Sequence, residues 1–421
     1  MPCLGLLGQW GNQLFQFVFL RVFASVHGFV PLTPHDWPGR QLLEAASASG
    51  DDALTGSIPA DSSQWPLVAD RTILSHHGWR EWACTREPLC AHAQPHGEAL
   101  SGRAIRRLTP QLNGDALDPD CPHALDLASP VCRSDFCLWG WFQFPTAAYR
   151  RHKSMVQTLL LPTAVLWACL DRVRAATRGG RSEGGQPPRP LIGVHYRCGA
   201  GYAPLVRRGD GRWVAAGAGT GAGASKGLPK ASIGAASLPP PLPWSPGSRL
   251  DQHAGCNTAD FVDSGVFWSA PLSWYAMWAE GVVRERGGAA GLPLCLVCSD
   301  GSEEQRAALA AVLAGAGLQA VDVRRACADG GDAGAWEALR DAVLPAGGAA
   351  LSVADWLCLA YVADAGLLVS NSTFSMSAAL ANGDIPSGRF FRPDPAAAGG
   401  AGAIVAFDPW DAKLLLKADA D

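Results

Sequence analysis

Basic charge is not in excess in this chain. Its 34 lysines and arginines stand against 38 aspartates and glutamates, giving a formal net charge of −4 and a pI near 6.2. That removes the electrostatic case for a nucleic-acid groove or an anionic membrane surface, both of which need a basic field. A disulfide framework is absent too: the 13 cysteines are scattered without the close, regular spacing of a stapled small domain. Cys295 and Cys298 form a C-x-x-C, but they lie inside the apolar run from Leu294 to Cys298. No second pair sits at zinc-finger distance. They read as small buried apolar residues, and no metal is expected. Cys84 with Cys90, and Cys132 with Cys137, are spaced for local bridges in an oxidising lumen, and the odd total leaves at least one thiol free.

No secretory signal is expected at Met1, since a folded pattern reads from the first few residues. The apolar run from Met155 to Leu170 contains Gln157 and Pro162 and is short for a bilayer, so it reads as a buried helix with Pro162 near its start. The expectation is a soluble, cytoplasmic chain as it stands. An anchor upstream of this sequence would instead assign it to the Golgi membrane or lumen. No G-x-G-x-x-G follows either candidate first strand, which removes the main signal for a dinucleotide oxidoreductase.

What is present describes a large globular α/β protein. The length of 421 residues, the 48% hydrophobic content and a mean hydropathy of +0.06 support a sizeable core and two domains. Residues 1–178 read as a first lobe, the Gly/Pro-rich stretch 179–190 as a linker, 191–395 as a second lobe and 396–421 as a tail. Within the second lobe, about 203–260 reads as an insertion, with low complexity from about 215 to 248 that cannot bury enough surface to offset its ordering entropy. The rest of that lobe alternates strand and helix. Strands are expected near 190–196, 294–298, 318–323 and 366–369. Helices are expected over 273–286, with Trp274, Met277, Trp278 and Val282 on one side, from the Ser302-x-x-Gln305 capping box, and from Ser352 to Ala363. Such alternation implies a parallel sheet with ligands at the carboxyl ends of its strands.

Three sequence-distant elements then stand at strand ends. The chain opens with an apolar strand over 3–8, followed by Gly11-Asn12-Gln13 leading into a helix that ends near Gly28. This places two side-chain amides and a helix start at a crevice. His195-Tyr196-Arg197-Cys198-Gly199 ends the strand at 190–196 and brings an imidazole and a guanidinium to the same kind of edge. Asn371-Ser372-Thr373-Phe374-Ser375 carries hydroxyls into a helix N-terminus. Arg suits phosphate because its planar fork donates two bonds at once and stays charged. A hydroxylated helix start suits the same ligand, so the two together could neutralise a diphosphate without a metal. Asn371-Ser372-Thr373 also matches a glycosylation sequon, but it directly follows a buried strand and reads as unmodified.

These residues resemble the GDP-fucose-dependent fucosyltransferases, in particular the α-1,2-fucosyltransferase family. The opening Gly11-Asn12-Gln13-Leu14-Phe15-Gln16-Phe17 is similar to that family's Gly-Asn-Gln block. Gly140-Trp141-Phe142-Gln143 is similar to its aromatic strand, and His195-x-Arg197 to its His-x-Arg-Arg-Gly-Asp hallmark. Asn371-Ser372-Thr373-Phe374-Ser375 resembles its late Asn-Ser-Thr-Phe-Ser block, and Ser299-Asp300 and Asp355 also match. Departures are Cys198 for the hallmark's second arginine, Ala200 for its aspartate, and Met376-Ser377 for a tryptophan pair.

The resemblance implies a GT-B architecture: two Rossmann-like lobes about a cleft, the first facing a glycan acceptor and the second holding GDP-fucose. It implies an inverting, metal-independent transfer of fucose to a glycan hydroxyl, with Arg197, Asn12 and His195 as the catalytic set. Arg197, Gly199, Asp355, Asn371, Ser372, Thr373 and Phe374 would hold the donor, with Asp355 seating the guanine. Gly11, Asn12, Gln13 and Gln143 would line the acceptor side. Transfer of another donor sugar, or carbohydrate or nucleotide binding without turnover, are the alternatives.

Overall fold

The structure, a computed structural model, describes residues 4, 9–27, 33, 37–46, 146–179, 188–198, 203–207, 209, 213–215, 268–286, 291–329, 334–397, 402–416 and 418. The expected strand over 3–8 (save Leu4), most of the linker, Gln143, Gly199, the low-complexity stretch and the four spaced cysteines lie outside these residues.

Six strands make one sheet in the order β6-β5-β1-β7-β8-β9. They are β1 (Leu191–Tyr196), β5 (Leu294–Ser299), β6 (Gln319–Asp322), β7 (Gly366–Leu368), β8 (Phe390–Asp394) and β9 (Ala403–Ala406). All pair in parallel except β9, which runs antiparallel along β8. Counting the five parallel strands in chain order gives 3-2-1-4-5, the order of doubly wound nucleotide-binding sheets. The chain leaves β1 toward β5 and β6, then returns to the other side of β1 at β7. The switch point is therefore the gap between the carboxyl ends of β1 and β7.

Strands β1 and β5 are apolar along their length because both faces are covered. Ile192 and Val194 join Cys295 and Val297 in one core, under α4 (Leu272–Arg286) and α5 (Glu303–Gly315). Leu191, Leu296 and Cys298 point into the other core. That core also holds α1 (Trp10–His27), α2 (Lys153–Leu160), α3 (Ala164–Thr177), α6 (Val323–Asp329), α7 (Ala335–Val343), α8 (Ala350–Leu357) and α9 (Thr373–Ala381). Cys295 and Cys298 thus face opposite sides of the sheet and cannot converge on one ion. Gly193 is needed on the second face: a Cβ there would lie 2.8 Å from Leu367 and 2.9 Å from Leu359.

The helices α1–α3 share this core with the sheet rather than forming a sheet of their own among the described residues. Trp10 of α1 stacks on Trp37 at 6.2 Å and meets Trp356 of α8 edge-on at the same distance, so three indoles tie the N-terminal helix to the sheet's helical layer.

Several local expectations change in detail. The run from Met155 to Leu170 is two helices, not one. Pro162 lies in the break between α2 and α3, where it bridges to Leu43, because proline cannot supply the N–H an unbroken helix needs there. Met277 of α4 is 54% exposed, and Tyr275 takes its place in the core. Asp355 lies in the second turn of α8, which starts at Ala350 and runs on into a π-helical turn, Cys358–Val362. The start of the expected insertion forms β2 (Ala203–Arg207) and β3 (Trp213–Ala215), which make a small sheet with β4 (Trp268–Ser269), beyond its expected end. The tail supplies β9, which sequence reading missed. The apolar stretch Ala335–Val362 has the length and hydropathy of a membrane span, but it is interrupted at Gly347 (φ +57°) and half of its apolar window is buried in this core.

The capping box is present as read: Ser302 Oγ accepts from Gln305 N at 3.3 Å and Gln305 returns the bond to Ser302 N at 2.8 Å. Ser302→Ala is expected to cost about 1 kcal/mol in urea unfolding. A variant as stable as the parent would show that the box does not hold α5.

Candidate functional site

The residues that meet at the switch point come from three distant parts of the chain. Arg197 follows β1 directly. Its guanidinium pairs through Nη1 with Asp300 at 2.8 Å and donates through Nη2 to Gln9 Oε1 at 3.0 Å. Its carbonyl accepts from Ser269 Oγ at 2.6 Å, so backbone and side chain are both held. Asp300, one residue beyond β5, also accepts from Cys198 N at 3.2 Å. The fork is therefore aimed before any ligand arrives.

Helix α9 begins beside it. Ser372 is the N-cap, its hydroxyl accepting from Phe374 N at 3.2 Å. Thr373 donates its hydroxyl to Asn12 Oδ1 at 2.5 Å, which joins α9 to the first turn of α1. The helices approach this closely because residue 11 is glycine: a Cβ there would sit 2.3 Å from Phe374 Cα. Gly11, Asn12, Gln9, Arg197, Ser372 and Thr373 thus form one corner, in which Gln9 and the first turn of α1 link the guanidinium to the α9 N-terminus. The guanidinium and the positive helix end suit an anion, while the nearest α9 donors are spent internally, Ser372 N on Ser370 O at 2.8 Å, Phe374 N on the cap and the Thr373 hydroxyl on Asn12.

The first turn of α1 is not itself an anion cradle. Gln9 carbonyl accepts from both Asn12 N (2.9 Å) and Gln13 N (3.2 Å), which uses those backbone donors internally. Gln13 Oε1 accepts from Trp37 Nε1 at 3.0 Å, so this amide fixes the indole cluster.

His195, Asn371 and Asp355 lie beneath the corner rather than at its surface. His195 is 2% exposed, with Nδ1 at 2.7 Å from Ser370 Oγ and its ring tilted on Phe374 at 4.9 Å. Burial, reinforced by Arg197 and Arg324, holds its pKa well below the ordinary histidine value, so the ring is neutral. Asn371 is clamped to the tail, donating to Leu416 O at 2.9 Å and accepting from Leu416 N at 2.7 Å. This side chain is committed to holding the tail.

Asp355 is 1% exposed and pairs with Arg324 Nε at 2.6 Å, while its Oδ1 has no partner. Burial outweighs the attraction of Arg324 and raises its pKa from 3.8 to about 7. The sign follows: the unfolded carboxyl ionises near 4 while the folded one stays protonated to about 7, so its contribution to stability is full below pH 4 and is lost as pH rises toward 7. Asp355→Asn is expected to remove that part of the slope. Denaturant unfolding of both proteins between pH 4 and 8 checks this, and parallel curves would contradict it.

The motif reading did not single out Arg324, Arg306 and Asp322. Arg306 pairs with Asp322 at 2.8 Å and donates to Gly301 O at 2.7 Å. With Arg197–Asp300 and Arg324–Asp355 they form three Arg–Asp pairs behind the carboxyl ends of β1, β5 and β6. The signal available in sequence was an acidic residue at the end of each strand, Asp300 and Asp322, followed by an arginine in the next helix. Gly199 and Gln143 lie outside the described residues. Met376 and Ser377 are buried, and Ser377 Oγ accepts the Trp356 indole N–H at 3.0 Å.

No family model matches the chain, and no curated protein or solved structure matches it either.

Proposed function

We propose that this chain is a glycosyltransferase that moves fucose from GDP-fucose to a glycan hydroxyl, inverting the anomeric centre without a metal. In this reading the sheet is the donor-binding half of a two-lobe GT-B enzyme, and residues 1–178 provide the acceptor side. The observation that carries the proposal is that Arg197, after β1, and the α9 N-terminus, after β7, both stand at the switch point of a 3-2-1-4-5 sheet and are linked through Gln9 and Asn12. Sequence blocks that resemble one family, 174 residues or more apart, converge there.

The chemistry follows from the groups present. As the bond between fucose and the diphosphate breaks, negative charge develops on the leaving phosphate. Arg197, aided by the positive end of the α9 dipole, stabilises that charge more strongly than the ground state, which is the differential binding that lowers a barrier. Asp300 keeps the guanidinium oriented, so little reorganisation is needed on binding. Asn12, bonded to Thr373, sets the far wall near the sugar. Asp355 acts from below by fixing Arg324 rather than by touching guanine. His195, neutral and buried, positions Ser370 and Phe374 and is not the base.

GDP, UDP and ADP give a direct test. GDP at about 100 times its Kd should stabilise the protein by about 2.7 kcal/mol, with UDP and ADP much weaker. An equal response to all three, or none, would overturn the donor assignment. A second reading, nucleotide binding without turnover, draws on Cys198, Ala200 and the burial of His195. GDP binding with no transfer to any acceptor would favour it.

A further inference from the structure

A cavity of about 660 Å³ opens at the end of the sheet away from the Arg197 corner. Its wall includes Phe390, the first residue of β8, and Asn382, the residue after α9. The nine residues of α9 separate it from the Arg197 corner, about 13 Å at the rise of an α-helix. Its volume is in the range of small-molecule sites.

The chemistry of the walls is specific. Phe390 and Phe407 meet edge-on at 6.4 Å and, with Trp410, supply flat apolar surface. Two cations stand at the rim. Arg150 is paired with two carboxylates, Asp408 of the cavity wall at 2.9 Å and Asp411 at 3.2 Å, so it offers no charge to a ligand. Lys153 makes no ion pair among the described residues; its Nζ lies 5.6 Å over the Trp410 ring. Beside Phe407, Arg392 sits 5.4 Å from the ring centroid and is only 4% exposed. It donates Nη1 to Lys413 O, while Nε and Nη2 have no partner. Asn382 cannot contribute, because its amide is spent on Leu359 O, Ala363 O, Asp384 N and Ile385 N.

We propose that this cavity is a separate binding site for a small organic carboxylate with a flat apolar body. The body lies against Phe407 and Trp410, and the carboxylate takes the Lys153 ammonium in the positive field of Arg392. A pocket with aromatic walls and one cation that makes no ion pair among the described residues discriminates by charge, since a neutral analogue leaves that cation without an anion.

Calorimetric titration of the full chain with naphthalene-2-carboxylate and with neutral naphthalene-2-methanol tests this. The carboxylate is expected to bind about tenfold tighter or better, the size of one charge-assisted hydrogen bond. Lys153→Met should abolish the preference. Gly383→Phe should block both ligands, because a side chain there meets only Gln157 Nε2, at 3.5 Å, and can occupy the mouth. Both positions are exposed, so both variants should keep the parent's circular dichroism and thermal midpoint. Arg197→Ala should bind the carboxylate as the parent does, which separates this site from the donor site. Absence of binding to the parent, equal affinity for the alcohol, a preference retained in Lys153→Met, or undiminished binding in Gly383→Phe would overturn the proposal.

Discussion

Arg197→Ala is expected to lose the stabilisation by GDP and to lower kcat for fucose transfer by about 10²–10³-fold, the usual loss when one preorganised donor to a developing anion is removed. The expectation rests on geometry: the guanidinium is 12% exposed, held by Asp300 and Gln9, and linked through the first turn of α1 to the α9 N-terminus. The variant leaves Asp300 with its bond to Cys198 N but without its cation, so some loss of stability without ligand is expected as well. The informative comparison is therefore each protein with and without GDP. Arg197→Lys should fall between the two, since it restores charge but not the two-pronged fork. A full GDP response in Arg197→Ala would place the diphosphate elsewhere.

Gly11→Ala is expected to be strongly destabilising. The added carbon would lie 2.3 Å from Phe374 Cα, 2.5 Å from Phe374 N and 2.9 Å from Thr373 C. All three are backbone atoms, so no flexible side chain can yield, and α1 must move off α9. The expected cost is about 3 kcal/mol, the upper end for overpacking a well-packed contact. The shift also separates Asn12 from Thr373 and Gln9 from Arg197, so the GDP response should weaken along with stability. Denaturant unfolding and the nucleotide response should change together. A Gly11→Ala protein with parental stability would show that the two helices do not pack as described.

Much of the sheet was legible because its strands carry strong local signals. Leu191–Tyr196 and Leu294–Ser299 are short apolar runs bounded by breakers, and the Ser302 box marks the helix that follows. The opening helix ends at His27, beside the expected Gly28. What failed was what depends on packing. Met277 fits the apolar face of a helical wheel, yet the core takes Tyr275, because the neighbouring strands decide which arc is buried. Strand β9 is four residues among alanines and glycines and owes its form to pairing with β8. At the site, the sequence indicated which elements converge, since Gly11-Asn12, Arg197 and Ser372-Thr373 do meet. It could not indicate depth. His195 and Asp355 look like cleft residues in a motif, and only the side chains of Phe374, Ser370 and Arg324 reveal that they are covered.

Incubation of the full chain with GDP-fucose and a galactose-terminated oligosaccharide, read by NMR of the product's anomeric proton and by GDP released, tests the central claim most directly. The account predicts acceptor-dependent GDP release matched one to one by α-linked fucosyl product, undiminished by a metal chelator. No product across a panel of acceptors, or GDP release that ignores the acceptor, would contradict it.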